Sequence, residues 1–115
     1  MTQGTHVLVV DDDREIREAL VSALEDRNYT VRSRSSAQGA LDFLRTGGRA
    51  DVIILDLMMP GLDGWDFRAE QKKDPRIAAI PVISLSAAGA LVDAPSLRKP
   101  VEIDDLIAAI EAARK

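Results

Sequence analysis

Hydrophobic and polar positions along the chain follow two periods that take turns. The runs "HVLVV" (6–10), "YTVRSRS" (29–35), "DVIILD" (51–56), "IPVISLS" (80–86) and the short "SLRK" (96–99) predict strands. Several are continuous apolar runs, as expected of a parallel sheet covered on both faces. Between them, apolar residues recur at helical spacing: Ile16, Ala19, Leu20, Ala23 and Leu24, then Ala37, Ala40, Leu41 and Leu44, and later Ile103, Leu106, Ile107 and Ile110. Segment 64–73, with Trp65 and Phe67, reads as a further helix that stops at Asp74-Pro75, because a proline disfavours helical backbone in the residue before it. Alternating strands and helices define the α/β class, and right-handed crossovers would place the helices on both faces of one parallel sheet.

Composition narrows the possibilities. The 115 residues suit one domain, expected to span 1–115, and no repeat, low-complexity tract or linker divides them. The longest N-terminal apolar run, "VLVV", is too short for a signal peptide or a membrane span, so a cytoplasmic protein without membrane contact is expected. Without cysteine there is neither a disulfide nor a thiolate metal site. A net charge of -4 and no basic stripe argue against nucleic-acid binding by this domain. The single His6 opens an apolar run and reads as a structural imidazole.

In parallel α/β sheets the functional crevice lies beyond the carboxyl ends of the strands. Asp11 and Asp12 follow "VLVV", Asp56 follows "VIIL", Ser86 ends "VISLS" and Lys99 ends "SLRK". Singly, each has an ordinary reading: a helix cap for an aspartate, a loop hydroxyl for Ser86, a solvated charge for Lys99. Together, at four strand ends, they describe a site. Carboxylates converging on one crevice repel one another and must share protons or bind a cation. Oxygen-only donors favour a hard ion such as Mg²⁺, which accepts one or two carboxylates together with phosphate oxygens. A carboxylate beside such an ion can attack a phosphoryl donor to form an acyl phosphate, while a hydroxyl and an ammonium help to spread the charge. Asp56 is the expected nucleophile.

The segments "VLVVDDDREIR", "DVIILDLMMPGLDG", "IPVISLSA" and "LRKP", in this order, resemble the receiver domain of two-component response regulators over nearly the whole chain. The resemblance implies a flavodoxin-like, doubly wound parallel sheet of five strands in the order 2-1-3-4-5. It also implies phosphorylation by a histidine kinase, a phosphotransfer protein or a small phosphodonor. Asp56 matches the phosphoacceptor, Asp12 the direct Mg²⁺ ligand, and Asp11 the carboxylate that acts largely through metal-bound water. The Met58 carbonyl completes the protein ligands. Ser86 matches the switch hydroxyl that moves toward the phosphoryl group, and Lys99 the lysine that pairs with it, ahead of a cis peptide to Pro100. Asp13 matches no ligand and is read as a helix-start residue.

The chain departs from this pattern in two places. Receivers usually carry an aromatic residue three positions before the lysine, where this chain has Ser96. Only Ala87 to Pro95, "AAGALVDAP", joins the last two strands, whereas a parallel crossover with its helix needs at least about 10 to 12 residues. The fourth helix is therefore expected to be short or absent. Nine residues still span up to roughly 30 Å when extended, enough to return along one strand. Leu91 and Val92 would then cover part of the sheet edge.

Three functions stay open on these residues. One is a stand-alone receiver that signals through protein contacts, with an atypical output surface and self-association as one route. Another is a phosphatase of the haloacid dehalogenase type, with Asp11 as nucleophile and Asp13 as general acid, which leaves "DLMMPG" unexplained. The last is a scaffold that works without phosphorylation.

Overall fold

The computed structural model describes residues 4–91 and 93–114. Val92, expected beside Leu91 on the sheet edge, lies outside them. In chain order the elements are β1 (His6–Val10), α1 (Arg14–Glu25), β2 (Thr30–Arg34), α2 (Ala37–Arg45), β3 (Val52–Asp56), α3 (Gly64–Lys73), β4 (Val82–Ser86), β5 (Ser96–Arg98) and α4 (Ile103–Ala113). All neighbouring strands pair in parallel, in the order β2-β1-β3-β4-β5. This is the expected flavodoxin-like sheet.

Local signals start the helices. Asp13 caps α1 by accepting from the Glu15 and Ile16 amides, and Ser36 caps α2 by accepting from the Gly39 amide. At α3, Asp63 and Asp66 satisfy each other's backbone amides in a reciprocal capping box. No side chain caps α4, but Asp104 and Asp105 place negative charge at the positive end of its dipole.

The strands are sandwiched. On one face β1, β3 and β4 present Val7, Val9, Ile54, Ile83 and Leu85 to Leu20 and Leu24 of α1 and Leu106 and Ile110 of α4. On the other, Leu8, Ile53 and Leu55 meet Ala40, Leu41 and Leu44 of α2 and Phe67 of α3. The register aligns Val10 with Leu55, Asp56 with Leu85, and Ser86 with Arg98. The carboxyl ends of four strands therefore share one rim, and the residues at those ends become neighbours.

Gly64 holds α3 against that rim. A β-carbon there would lie 2.6 Å from the Leu57 Cα and 2.8 Å from the Asp56 carbonyl oxygen, backbone atoms that cannot move aside. The helix start is thus pressed directly onto the strand end that carries Asp56.

Between β4 and β5 no helix forms among the described residues, as the nine-residue spacing predicts. Ala87–Ala90 are exposed, and Leu91 then turns in to only 7% exposure and packs with the α2–α3 cluster. Asp93 pairs with Arg68 at 3.4 Å and with Lys72, both on α3, which ties down the far half of the connection. Beneath it, the Ser84 and Ser96 hydroxyls hydrogen-bond each other at 2.5 Å. Period-two alternation puts Val82, Ser84 and Ser86 on this face of β4, so the strip without a helix is partly hydroxylated. Leu91 supplies aliphatic cover from the connection itself. Leu91→Ala should lower the unfolding free energy by about 2 kcal/mol, the lower end for a leucine truncation because a loop can partly collapse into the space. Denaturant titration with an unchanged m-value would show this.

Candidate functional site

Asp11 follows β1 and is fully buried, at 0% exposure. One carboxylate oxygen accepts from the Asp13 amide at 2.9 Å and the other from Lys99 Nζ at 3.0 Å. Its backbone carbonyl accepts from Arg17 Nη1 at 2.9 Å. Asp56, the last residue of β3, is 3% exposed. Its Oδ1 accepts from the Met58 amide at 3.2 Å and lies 3.3 Å from Lys99 Nζ. Asp12, on the loop after β1, is exposed. Asp11, Asp12 and Asp56 each bring one carboxylate oxygen to within 4.8 Å of the others. Lys99 arrives just past β5, where its amide donates to the Ser86 carbonyl at 3.0 Å, and its peptide to Pro100 is cis.

Ser86 is buried at the end of β4, on the strand next to Asp56 and one step beyond its register partner Leu85. Its hydroxyl accepts from the Ala88 amide at 3.0 Å and donates to the Ala88 carbonyl. Met58 lies at the mouth with its side chain 60% exposed. The residues expected at the site are thus gathered on one rim. Asp13 is the outsider: its Oδ1 accepts from the Glu15 and Ile16 amides, a helix-capping role, and it does not join the Asp11–Asp12–Asp56 cluster, which counts against the phosphatase reading. Arg17 was not anticipated, since its contact with the Asp11 carbonyl depends on how the first turn of α1 meets the loop and leaves no periodic trace.

Burial pushes the Asp56 carboxyl up to about 6, and the charge of Asp11 adds to the rise against the Met58 amide and Lys99. Burial alone would lower Lys99, but its hydrogen bond to Asp11 and the charges of Asp11 and Asp56 raise it on balance. When all three carboxylates are ionised they carry -3 against +1 from Lys99, an excess of -2. That excess and the oxygen-only donor set suit one hard divalent ion. The chemistry of the residues present therefore fits Mg²⁺.

The response regulator receiver domain model matches residues 7–111, and the chain belongs to that family. It is 38% identical over 93 residues to the transcriptional regulatory protein CseB of Streptomyces avermitilis, covering 81% of this chain and 38% of CseB. Among solved structures, the Vibrio cholerae chemotaxis protein CheY4 superposes with a TM-score of 0.86 at 26% identity, covering 95% of this chain and 98% of that one. A receiver domain protein from Clostridium thermocellum superposes at 0.83 with 33% identity, covering 96% and 94%. The chain spans less than half the length of CseB and of TcrA from Mycobacterium tuberculosis. Receivers are signalling domains of two-component systems that interact with histidine kinases or phosphotransfer proteins and bind Mg²⁺ at an acidic pocket. No helix among the described residues is long and apolar enough to cross a membrane.

The raised Asp56 carboxyl has a sign that can be tested. Its value of about 6 in the fold lies above the ordinary 3.8, so the folded state holds the proton more tightly than the unfolded chain. The stability associated with this proton is complete below about pH 4 and is lost as pH rises through about 6. In Mg²⁺-free buffer Asp56→Asn should therefore gain on the parent over that window, by on the order of 2 kcal/mol at its upper end. Denaturant titrations of both proteins across pH 4 to 7 would test this, and a gap that does not vary with pH would contradict it.

Proposed function

We propose that this chain is a receiver that takes a phosphoryl group onto Asp56 in a Mg²⁺-dependent reaction and passes the signal on through protein–protein contacts. One observation carries the reading: Asp56 is buried at the end of β3 beside Asp11 and Asp12, with the Lys99 ammonium 3.3 Å from its carboxylate. The Met58 amide and Lys99 engage Oδ1, which leaves Oδ2 as the attacking atom. It forms the new P–O bond as the bond from phosphorus to the donor breaks. The electron pair leaves with the donor, onto the imidazole nitrogen of a phosphohistidine or the carboxylate oxygen of a small acyl phosphate. Asp56 attacks in its ionised form, and Lys99 offsets charge on the transferring oxygens. Asp12, Asp56, the Met58 carbonyl and, less directly, Asp11 would hold Mg²⁺, which supplies positive charge opposite the phosphoryl oxygens. Ser86 brings its hydroxyl from the neighbouring strand.

The catalysis is confined to the domain's own phosphorylation and dephosphorylation. The donor is a histidine kinase or phosphotransfer protein, and an apolar groove of about 330 Å³ between α1 and α4 supports a protein contact beside the site. Ile16, Leu20, Ala23, Val101 and Ile103 line it, and it runs up to Lys99 and Pro100. Such a groove suits the apolar stripe of a partner helix. The output partner is a protein, with self-association as one form, and we assign the domain no contact with nucleic acid or membrane. We place it in the cytoplasm.

Incubation with acetyl phosphate and Mg²⁺ followed by intact-mass measurement should give a single phosphoryl adduct on the parent and none on Asp56→Asn. Full labelling of that variant would overturn the assignment. Steady release of phosphate through Asp11 without an adduct would favour the phosphatase, and no reaction at all the scaffold.

A further inference from the structure

We infer that Trp65, at the start of α3, is the residue that reads the phosphorylation state, through a contact with the turn that holds Ser86. The inference rests on the phosphorylation reading above. In receivers the residue matching Ser96 is usually aromatic, but Ser96 is hydrogen-bonded to Ser84 and has no ring to move. An aromatic group does lie against the turn that follows Ser86, and it is Trp65.

The path is short and physical. Both hydrogen bonds of the Ser86 hydroxyl are made to Ala88, one accepted from its amide at 3.0 Å and one donated to its carbonyl. Turning that hydroxyl toward a phosphoryl group on Asp56 breaks both, and the turn Ala87–Gly89 loses what closes it. The next residue, Gly89, has a φ of +91° and lies against the indole: a β-carbon there would stand 3.1 and 3.2 Å from Trp65 Cζ2 and Cη2. The left-handed backbone favours glycine, and a β-carbon there would press on the indole.

What is fixed on either side sends the movement into the side chain. Gly64, one residue before Trp65, is wedged on the backbone of Asp56 and Leu57, so the start of α3 cannot follow the turn. Beyond the turn, Leu91 is buried and Asp93 is paired to Arg68 and Lys72. The free part of the connection is therefore Ala87–Ala90, and its described neighbour on α3 is the 39% exposed indole. A switch that elsewhere rotates a ring on the fifth strand would here release or cover a ring on the third helix.

Trp65 is the only tryptophan, so its fluorescence can be read in the intact chain. Emission and acrylamide quenching are recorded with Mg²⁺ alone and with Mg²⁺ plus acetyl phosphate, while intact mass reports occupancy of Asp56. The parent should show a change in quenching that follows the adduct and is absent with Mg²⁺ alone. Ser86→Ala, compared at equal occupancy, should lose most of that change, and Ser86→Thr, which keeps a hydroxyl, should retain it. Gly89→Ala should displace the indole and shift the emission before any phosphodonor is added. An adduct on the parent with unchanged quenching, or an equal change in Ser86→Ala, would overturn this inference and leave phosphorylation at Asp56 standing. Absence of the adduct would remove both.

Discussion

The structure depends on one ammonium shared by two buried carboxylates. Lys99 lies 3.0 Å from Asp11 and 3.3 Å from Asp56, and neither aspartate has appreciable contact with solvent. Burying an ionised carboxylate is unfavourable by several kcal/mol unless it is paired and hydrogen-bonded, and a single cation cannot fully compensate two. The amides of Asp13 and Met58 help, each donating to one of the two carboxylates. Asp12, which adds a third charge, is left in solvent. The protein groups by themselves thus leave an excess of negative charge, which a divalent ion would balance. Sites that must take up a cation and a phosphoryl group are built this way at the expense of stability.

That arrangement constrains the fold. The three groups come from β1, β3 and the end of β5, so they converge only if these strands run parallel and end at the same level. Asp11 and Asp56 come from adjacent strands, whereas Lys99 must reach across β4 from the edge. The register of β4 with β5, and the short return from Ser86 to Ser96, therefore matter as much to the site as the acidic residues do. A helix is dispensable in that return. What is required is that β5 keeps its pairing and that the opened face is covered, which Leu91 and the Ser84–Ser96 pair accomplish.

Much of this was legible in the sequence because strand ends and polar chemistry coincide there. Apolar runs that stop at Asp56 and just before Asp11 declare both the strand and its functional end, helical spacing placed α1, α2 and α4, and the Asp74-Pro75 stop placed the end of α3. Strand limits were read one or two residues too long at Tyr29, Ser35, Asp51, Ile80 and Lys99. Tyr29 shows why: it is buried and its hydroxyl donates to Glu111 at 2.6 Å, so its burial comes from packing against α4 and not from the ladder. That no helix forms between β4 and β5 among the described residues could be inferred from the nine-residue length of that connection. A second sign lay unread in "VISLS", where serines alternate with aliphatic residues in a strand otherwise read as apolar on both faces. The contact of Trp65 with Gly89 and that of Arg17 with the Asp11 carbonyl leave no such trace, because they depend on the routes of two loops.

If the excess charge at this rim is what the domain is built to have neutralised, binding of Mg²⁺ must stabilise the fold through these residues. The most direct measurement is the unfolding free energy as a function of free Mg²⁺, for the parent and for Asp12→Ala. The parent should gain roughly 1.4 kcal/mol for each tenfold rise above its dissociation constant, since the ion binds the folded state and not the unfolded chain. Asp12→Ala should gain only at far higher concentrations. A parent indifferent to Mg²⁺, or a variant stabilised equally, would contradict the account.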